Sequence, residues 1–287
     1  GTSPASPVAL NRESLTLADK WILSRLQRVI GDVTAALEAY QFNNAARRLY
    51  AFVWHEFCDW YLEIAKLQRD SDDPAVVSNT QAVLLTVLEK TLRLLHPFMP
   101  FITEELWRRI GAGKTIMKAP WPEPESSRVD LKAEESFGLL DAVITEVRNI
   151  RSTFRVPLKQ KVDVMVRAEK GAQALAAHQK VIQRLGLVER LTISGRLERP
   201  AGSAVAHLGE WDLVVPLAGL VDLSVERRRI EKEIEVLEAR SRSKRTRLGD
   251  DGFRSKAPAE VVAEEEESLR ELEKELLRWR ESLRQIE

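Results

Sequence analysis

From Leu223 to the C-terminus the chain carries its tightest constraint, two long runs of residues that step by three and four. Leu223, Arg227, Ile230, Ile234, Leu237, Ser241, Lys244 and Leu248 hold one register. Val262, Glu265, Leu269, Leu272, Leu276, Trp279, Leu283 and Ile286 hold another. The stretch "GDDGF" at 249–253, and then Pro258, interrupt the helix between them. Two heptad helices with so short a break predict an antiparallel coiled-coil hairpin. Arms of ~26 residues make it about 40 Å long. A dimerising rod would need a seam without that break. With the turn centred near 254–255, Leu248 faces Val262, Ser241 faces Leu269, Leu237 faces Leu272, Ile234 faces Leu276 and Ile230 faces Trp279. Lys244 then faces Glu265, a charge pair that would fix the register of an otherwise apolar seam.

Upstream, residues 17–156 read as a helical bundle behind a flexible lead-in at 1–16, where "GTSPASPVALNRES" is rich in Pro and Ser. Thr16 and Asp19 have capping-box spacing ahead of Ile22, Leu26, Val29, Ile30, Val33 and Leu37. The next helix, Asn43 to Leu67, is aromatic. Tyr50, Trp54, Phe57, Tyr61 and Ile64 line one face, and Phe52 and Trp60 load another, the pattern of a helix central in a bundle. Asp73-Pro74 opens a third helix with Val77, Leu84, Leu88, Leu92 and Leu95 as its stripe. Pro97 stops it, "PFITEELW" begins a fourth, and a fifth spans Leu131 to Phe154.

From Pro157 the period changes. Val162, Val164 and Val166 alternate in "QKVDVMVRA", a short helix follows over Ala172 to Leu185, and "RLTIS", "SAVAHL" and "WDLVVPL" read as strands. The expected fold is mainly α: a helical bundle at 17–156, a small α/β module at 157–222 and the coiled-coil hairpin at 223–287.

The chemistry is sparse. "GAGKT" at 111–115 invites a phosphate-loop reading, but the glycine required five residues ahead of Gly113-Lys114-Thr115 is Arg108, and the preceding stretch reads as helix. Gly111 and Gly113 are expected to end that helix. The single Cys58 excludes a disulfide framework or a cysteine zinc site, and reads as a core thiol suited to a reducing cytoplasm. His55, His96, His178 and His207 show no ligand spacing, and His96, ahead of Pro97, reads as a capping or packing group. Glu264 to Glu267 read as a solvated helix face. No metal or cofactor is expected on these residues, and no apolar run is long enough to cross a membrane.

With 44 basic and 44 acidic residues, a polyanion would have to be met by local patches. Two stand out. Arg148, Arg151, Arg155, Lys159 and Lys161 follow one another with no acid between Val147 and Val162, and the three arginines share one helical face. Arg240, Arg242, Lys244, Arg245 and Arg247 sit at the far end of the first hairpin arm, with Arg254 and Lys256 at the turn. With Lys244 in the seam, Arg242, Arg245, and Arg254 or Lys256 form the expected contact set for a polyanion.

"LADKWILSRL" (17–26), "EFCDWYLEIAK" (56–66), "LHPFMPFITEELW" (95–107), "WP" (121–122) and "VRNIRS" (147–152) resemble the helical anticodon-binding domain of class I aminoacyl-tRNA synthetases. "EFCDWYLE" and the closing hairpin, with Gly252-Phe253 and "KAPAEVV" (256–262) at its turn, are most similar to the valyl-tRNA synthetase family. The resemblance runs from Leu17 to the C-terminus and implies tRNA, of the valine-accepting kind, as the partner. The bundle would position the anticodon stem-loop and the hairpin the outer corner of the tRNA. In that family ATP and Mg serve a catalytic domain whose signature motifs are absent from this sequence, as are those of the editing domain. The chain is therefore expected to be a C-terminal portion, inactive alone, of a monomeric cytoplasmic ligase. The family's first bundle helix is also missing, which implies an exposed apolar patch on Trp21 to Leu37 or on the aromatic helix, and self-association through it. The alternative is a non-catalytic coiled-coil module for protein interaction.

Overall fold

Thr16 closes the capping box that its spacing predicts. Its hydroxyl accepts from the Asp19 N–H at 3.2 Å, and the Asp19 carboxylate accepts from the Thr16 N–H at 3.0 Å. That box starts α1 (Leu17–Glu38) in a computed structural model that describes residues 10–168 and 172–286, apart from the side chains of Ala174 and Arg254. The first nine residues of the expected lead-in lie outside the described residues. One compact unit runs up to Asp141 and a second begins at Ala142.

In the first unit, Ile22, Leu26, Ile30 and Val33 are fully buried along one face of α1, each stabilising the fold by about 1.5–3 kcal/mol of apolar transfer. α2 (Phe42–Ala51) continues through an i→i+5 stretch at Phe52–Leu62 into α3 (Glu63–Arg69). This stretch corrects the aromatic face. Phe52, Phe57, Trp60, Tyr61 and Ile64 are buried, but Tyr50 and Trp54 are 58% and 51% exposed. A wider turn shifts the phase of the helix, so Tyr50 before the stretch and Trp54 near its start no longer align with a stripe drawn at 3.6 residues per turn.

α4 (Pro74–Leu95) starts as expected, with the Asp73 carboxylate accepting from the Ala75 N–H at 2.8 Å. Its most buried line is Thr80, Val83, Val87, Thr91 and Leu94, not the leucine stripe; of those leucines only Leu92 is fully inside. Leu92 packs instead with Trp107 and Ile116, on the side of α5 (Pro100–Arg109). Gly111 (φ 71°) follows α5 directly, so the "GAGKT" segment ends a helix as its glycines imply. His96 caps α4, its Nδ1 2.7 Å from Thr103 Oγ1, while Cys58 is only half-buried.

α6 (Leu131–Thr153) contributes Phe137 to the first unit, where it stacks on Trp21 at 3.7 Å between ring centroids. In the second unit a four-stranded sheet has the order β2-β1-β4-β3, formed by β1 (Val162–Arg167), β2 (Val188–Ser194), β3 (Ser203–Leu208) and β4 (Trp211–Pro216). β1 and β2 pair in parallel, with α7 (Ala172–Ala177) and α8 (Gln179–Gly186) between them in the chain. β3 and β4 form a hairpin whose turn uses Gly209 at φ 62°. Val162, Val164 and Val166 are fully buried, as their alternation predicts. The hairpin arm consists of α9 (Leu223–Leu248) and α11 (Ala259–Ile286). The break between them is itself a short helix, α10 (Asp251–Lys256), capped by the Asp250 carboxylate on the Gly252 N–H at 2.8 Å. Among the described residues no helix is long and apolar enough to cross a membrane.

Candidate nucleic-acid interface

The hairpin seam places its own basic tip. Ile230, Leu237, Ser241 and Leu248 of α9 are buried, as is Leu276 of α11. Lys244 is ion-paired with Glu265 in that seam, as the register requires. With position 244 turned inward, Arg240 and Arg242 stand exposed on the outer surface of α9. Arg245 is exposed too, but its Nε and Nη2 donate to Glu273 Oε1 at 2.9 and 2.6 Å. Arg247 donates to Glu265 Oε1 at 3.0 Å and lies over the Phe253 ring at 4.5 Å from its centroid. Lys256, at the end of α10, is exposed, and the side chain of Arg254 lies outside the described residues. The tip therefore sorts into outward cations (Arg240, Arg242, Lys256) and cations that reach across the hairpin to glutamates (Arg245, Arg247).

The base of the arm is tied down. Arg229 Nη2 donates to the Thr153 carbonyl at 2.5 Å, pairs with Glu226 at 2.7 Å and lies 5.2 Å from the centroid of the Trp279 ring. Arg199 bridges the carbonyls of Ser203 and Gln285 at 3.0 and 2.9 Å. Such ties hold the helices in one geometry and leave the tip as the part that can meet a partner.

The cluster at the end of α6 needs correction. Arg151 is 5% exposed, and its Nη2 donates to the Pro157 carbonyl at 3.0 Å. Burial lowers its pKa, and it cannot reach a partner at the surface. Arg148 is exposed, with its Nε on the Leu185 carbonyl at 3.0 Å. Lys161 pairs with Glu189 at 2.9 Å. Arg155, with φ 51°, is the left-handed residue that ends the helix, and Val156 N–H returns to the Arg151 carbonyl at 2.9 Å. The acid-free run of five basic residues thus pins a helix end to the sheet module, and Arg155 and Lys159 are its outward members.

Two residues that the sequence pattern assigns to the core, Tyr50 and Trp54, belong instead to an exposed aromatic surface. Tyr40 (81% exposed) and Phe42 stand in solvent at the start of α2 and the turn before it, as do Tyr50 at its end and Trp54 in the wider stretch that follows. Tyr40 meets Phe42, and Tyr50 meets Trp54, edge to face at 6.4 Å. Asn44 and Arg47, linked at 2.7 Å, lie among them in the sequence. The signal was the polar run "QFNNAARR" at 41–48, which interrupts the aromatics before the wider turn begins. Exposed aromatics beside amides and arginine can stack unpaired bases. The expected apolar patch is therefore on the aromatic helix, while α1 is covered.

Among the described residues no three of His, Cys, Asp and Glu come together to hold a metal ion. Residues 19–166 match the family model described as the anticodon-binding domain of tRNA ligase. Residues 222–287 match that described as the valyl tRNA synthetase tRNA binding arm. Similar curated proteins include the valine–tRNA ligase of Syntrophotalea carbinolica, 38% identical over 94% of this chain and 31% of that protein. That of Thermotoga maritima is 38% identical over 96% of this chain and 31% of its own length. That of Carboxydothermus hydrogenoformans is 39% identical over 96% and 32%. The chain thus spans a little under a third of the length of these curated relatives.

Proposed function

Because the chain belongs to the tRNA-ligase anticodon-binding family, whose model it matches over just over half its length, we propose that it binds tRNA as the C-terminal part of a valine–tRNA ligase. The observation that carries this reading is the arm: a closed antiparallel hairpin with Arg240, Arg242 and Lys256 outward at one end. Cations on a stiff rod meet phosphates, which fixes position and orientation without reading sequence. The exposed aromatics of the bundle supply the complementary contact, stacking on unpaired bases of the anticodon loop. The reaction of the whole protein would be ATP-dependent attachment of valine to its tRNA. These residues would contribute remote binding energy that aligns the acceptor end, and no chemical step.

A protein-interaction coiled coil fits less well, because the apolar seam is spent inside the hairpin, between α9 and α11. A gel-shift titration with valine tRNA, using the whole chain, tests the proposal. The expected result is a complex at a dissociation constant of roughly 10⁻⁶ M or tighter, weakening steeply with salt. No retardation at tenfold higher protein concentration would overturn it.

A further inference from the structure

The first unit holds a cavity of about 860 Å³ that none of the surfaces above uses. It lies between the start of α1, the second half of α4 and the segment leading into α6, and its volume falls in the range of small-molecule sites. Its charge is lopsided for a chain of zero net charge. Arg12, Lys20, Lys90, Arg128 and Lys132 line it against two carboxylates, Glu125 and Asp130, an excess of three positive charges.

Both carboxylates are already engaged. Glu125 pairs with Lys90 at 2.9 Å and with Arg128 at 2.6 Å, and its pKa is lowered chiefly by the hydrogen bond from Lys90. Asp130 Oδ1 caps α6 by accepting from the Ala133 N–H at 2.9 Å. Arg12, Lys20 and Lys132 are exposed and pair with no carboxylate among the described residues. The Arg128 Nε is buried against Glu125 Oε2. Leu131 and Lys132 open the 23-residue α6 here, so the positive end of a long helix adds to the excess.

The rest of the lining is apolar. Leu15, Leu23 and Val129 line the same space, and Leu131 is left 62% exposed at its edge. Thr86 and Ser127 add hydroxyls. An anion alone would not use the leucines, and a purely apolar ligand would leave three cations unmatched. A nucleoside phosphate uses both.

We propose that this cavity binds a nucleoside phosphate, with the phosphate on Arg12, Lys20 and Lys132 and the base against the leucine floor. Two sources share that chemistry: a free mononucleotide, and an unstacked nucleotide of a bound tRNA. The second source rests on the proposed function; the first does not.

Calorimetric titration of the whole chain with AMP, with adenosine as the phosphate-free control, separates them when run beside the tRNA gel shift. Each measurement is made on the natural sequence and on the double variant Lys20→Glu/Lys132→Glu, whose helical circular dichroism and melting are checked first. If the source is free nucleotide, AMP binds, adenosine binds far more weakly, and the double variant loses about ten- to a hundredfold in AMP affinity. If the source is RNA, AMP heat is absent and the double variant flattens the salt dependence of tRNA binding by one to two log–log units, on the order of one per phosphate contact. AMP binding with no tRNA complex would sink the proposed function and leave this site standing. No AMP heat together with an unchanged tRNA slope overturns the site, as does AMP affinity that the double variant leaves intact. A variant that fails to fold is replaced by Lys132→Gln, for which the same outcomes hold at smaller amplitude.

Discussion

Lys244 of α9 and Glu265 of α11 are joined across the hairpin, and Arg247 reaches the other oxygen of the same carboxylate at 3.0 Å. Between Ser241 and Leu248, both buried, this pair is a charged step in the seam, and sliding either helix by one turn would separate it. Register is therefore encoded twice, by the apolar positions and by one charge pair.

The carboxyl of Glu265 is held below the ordinary glutamate range, first by the hydrogen bond from Lys244 and then by the charges of Lys244 and Arg247, with desolvation opposing. A depressed carboxylate contributes stability that is present above its unfolded value, about 4.3, and is lost as pH falls through the lower folded value. Glu265→Gln should therefore melt below the natural sequence at pH 7, by roughly a few degrees given the partial exposure of the pair. The two melting curves, followed by circular dichroism, should converge as pH drops below about 4. A gap that survives at lower pH would mean that the side chain acts through packing and not through charge.

Asp19 is fully buried, and no cation pairs with it among the described residues. It accepts from Tyr61 Oη at 2.6 Å, from Thr16 Oγ1 at 2.8 Å and from the Thr16 N–H at 3.0 Å. Burial raises its pKa against those three hydrogen bonds. The sign is opposite to that of Glu265: the protonated form is favoured in the fold, so the stability it confers is full below the unfolded value, about 3.9, and is lost as pH rises through the folded one. Tyr61→Phe should cost about 1–3 kcal/mol at pH 7 by urea unfolding, since it leaves a buried carboxylate short of a donor. Asp19→Asn should flatten the fall in stability that sets in as pH rises above about 4, the unfolded value. Equal urea midpoints for Tyr61→Phe and the natural sequence would show the bond to be energetically idle.

What could be read along the chain was what depends on near neighbours. The caps at Thr16 and Asp73, the break at Gly111, the alternation of Val162 to Val166 and the heptad seam are each set within a few residues or by a strict period. The readings that failed depend on something outside the window. Tyr50 and Trp54 fit a 3.6-residue stripe, but the wider stretch at Phe52–Leu62 moves that stripe away from them. Arg151 fits a basic face, yet the chain turns back at Arg155 and Pro157 closes over it. α4 packs against α1, α3 and α5, with Leu88 and Leu92 on the α5 side and Leu84 beside α3, so no single stripe describes the helix. The basic cavity draws on residues from Leu10 to Lys132, a separation that no local pattern can span.

The tip of the arm gives the last prediction, and here the structure reorders the sequence reading. The sequence makes Arg242 and Arg245 equal members of the expected contact set, but Arg245 is held by Glu273 while Arg242 has no carboxylate partner among the described residues. A cation already neutralised releases little when it meets a phosphate, whereas an unpaired one releases close to a full counterion. Arg240→Ala/Arg242→Ala should therefore lower the log–log salt slope of tRNA binding by up to about two units, roughly one per contact. Arg245→Ala should lower it by clearly less, because Glu273 loses its partner at the same time. The loss of affinity should be the same for valine tRNA and for a tRNA of another specificity, since phosphate contacts carry no sequence information. The comparison needs these two variants, the single Arg242→Ala and two tRNAs at several salt concentrations. An Arg245 effect equal to that of Arg242 would mean that the Glu273 pair opens on binding, and a loss confined to valine tRNA would make the tip a reader of bases.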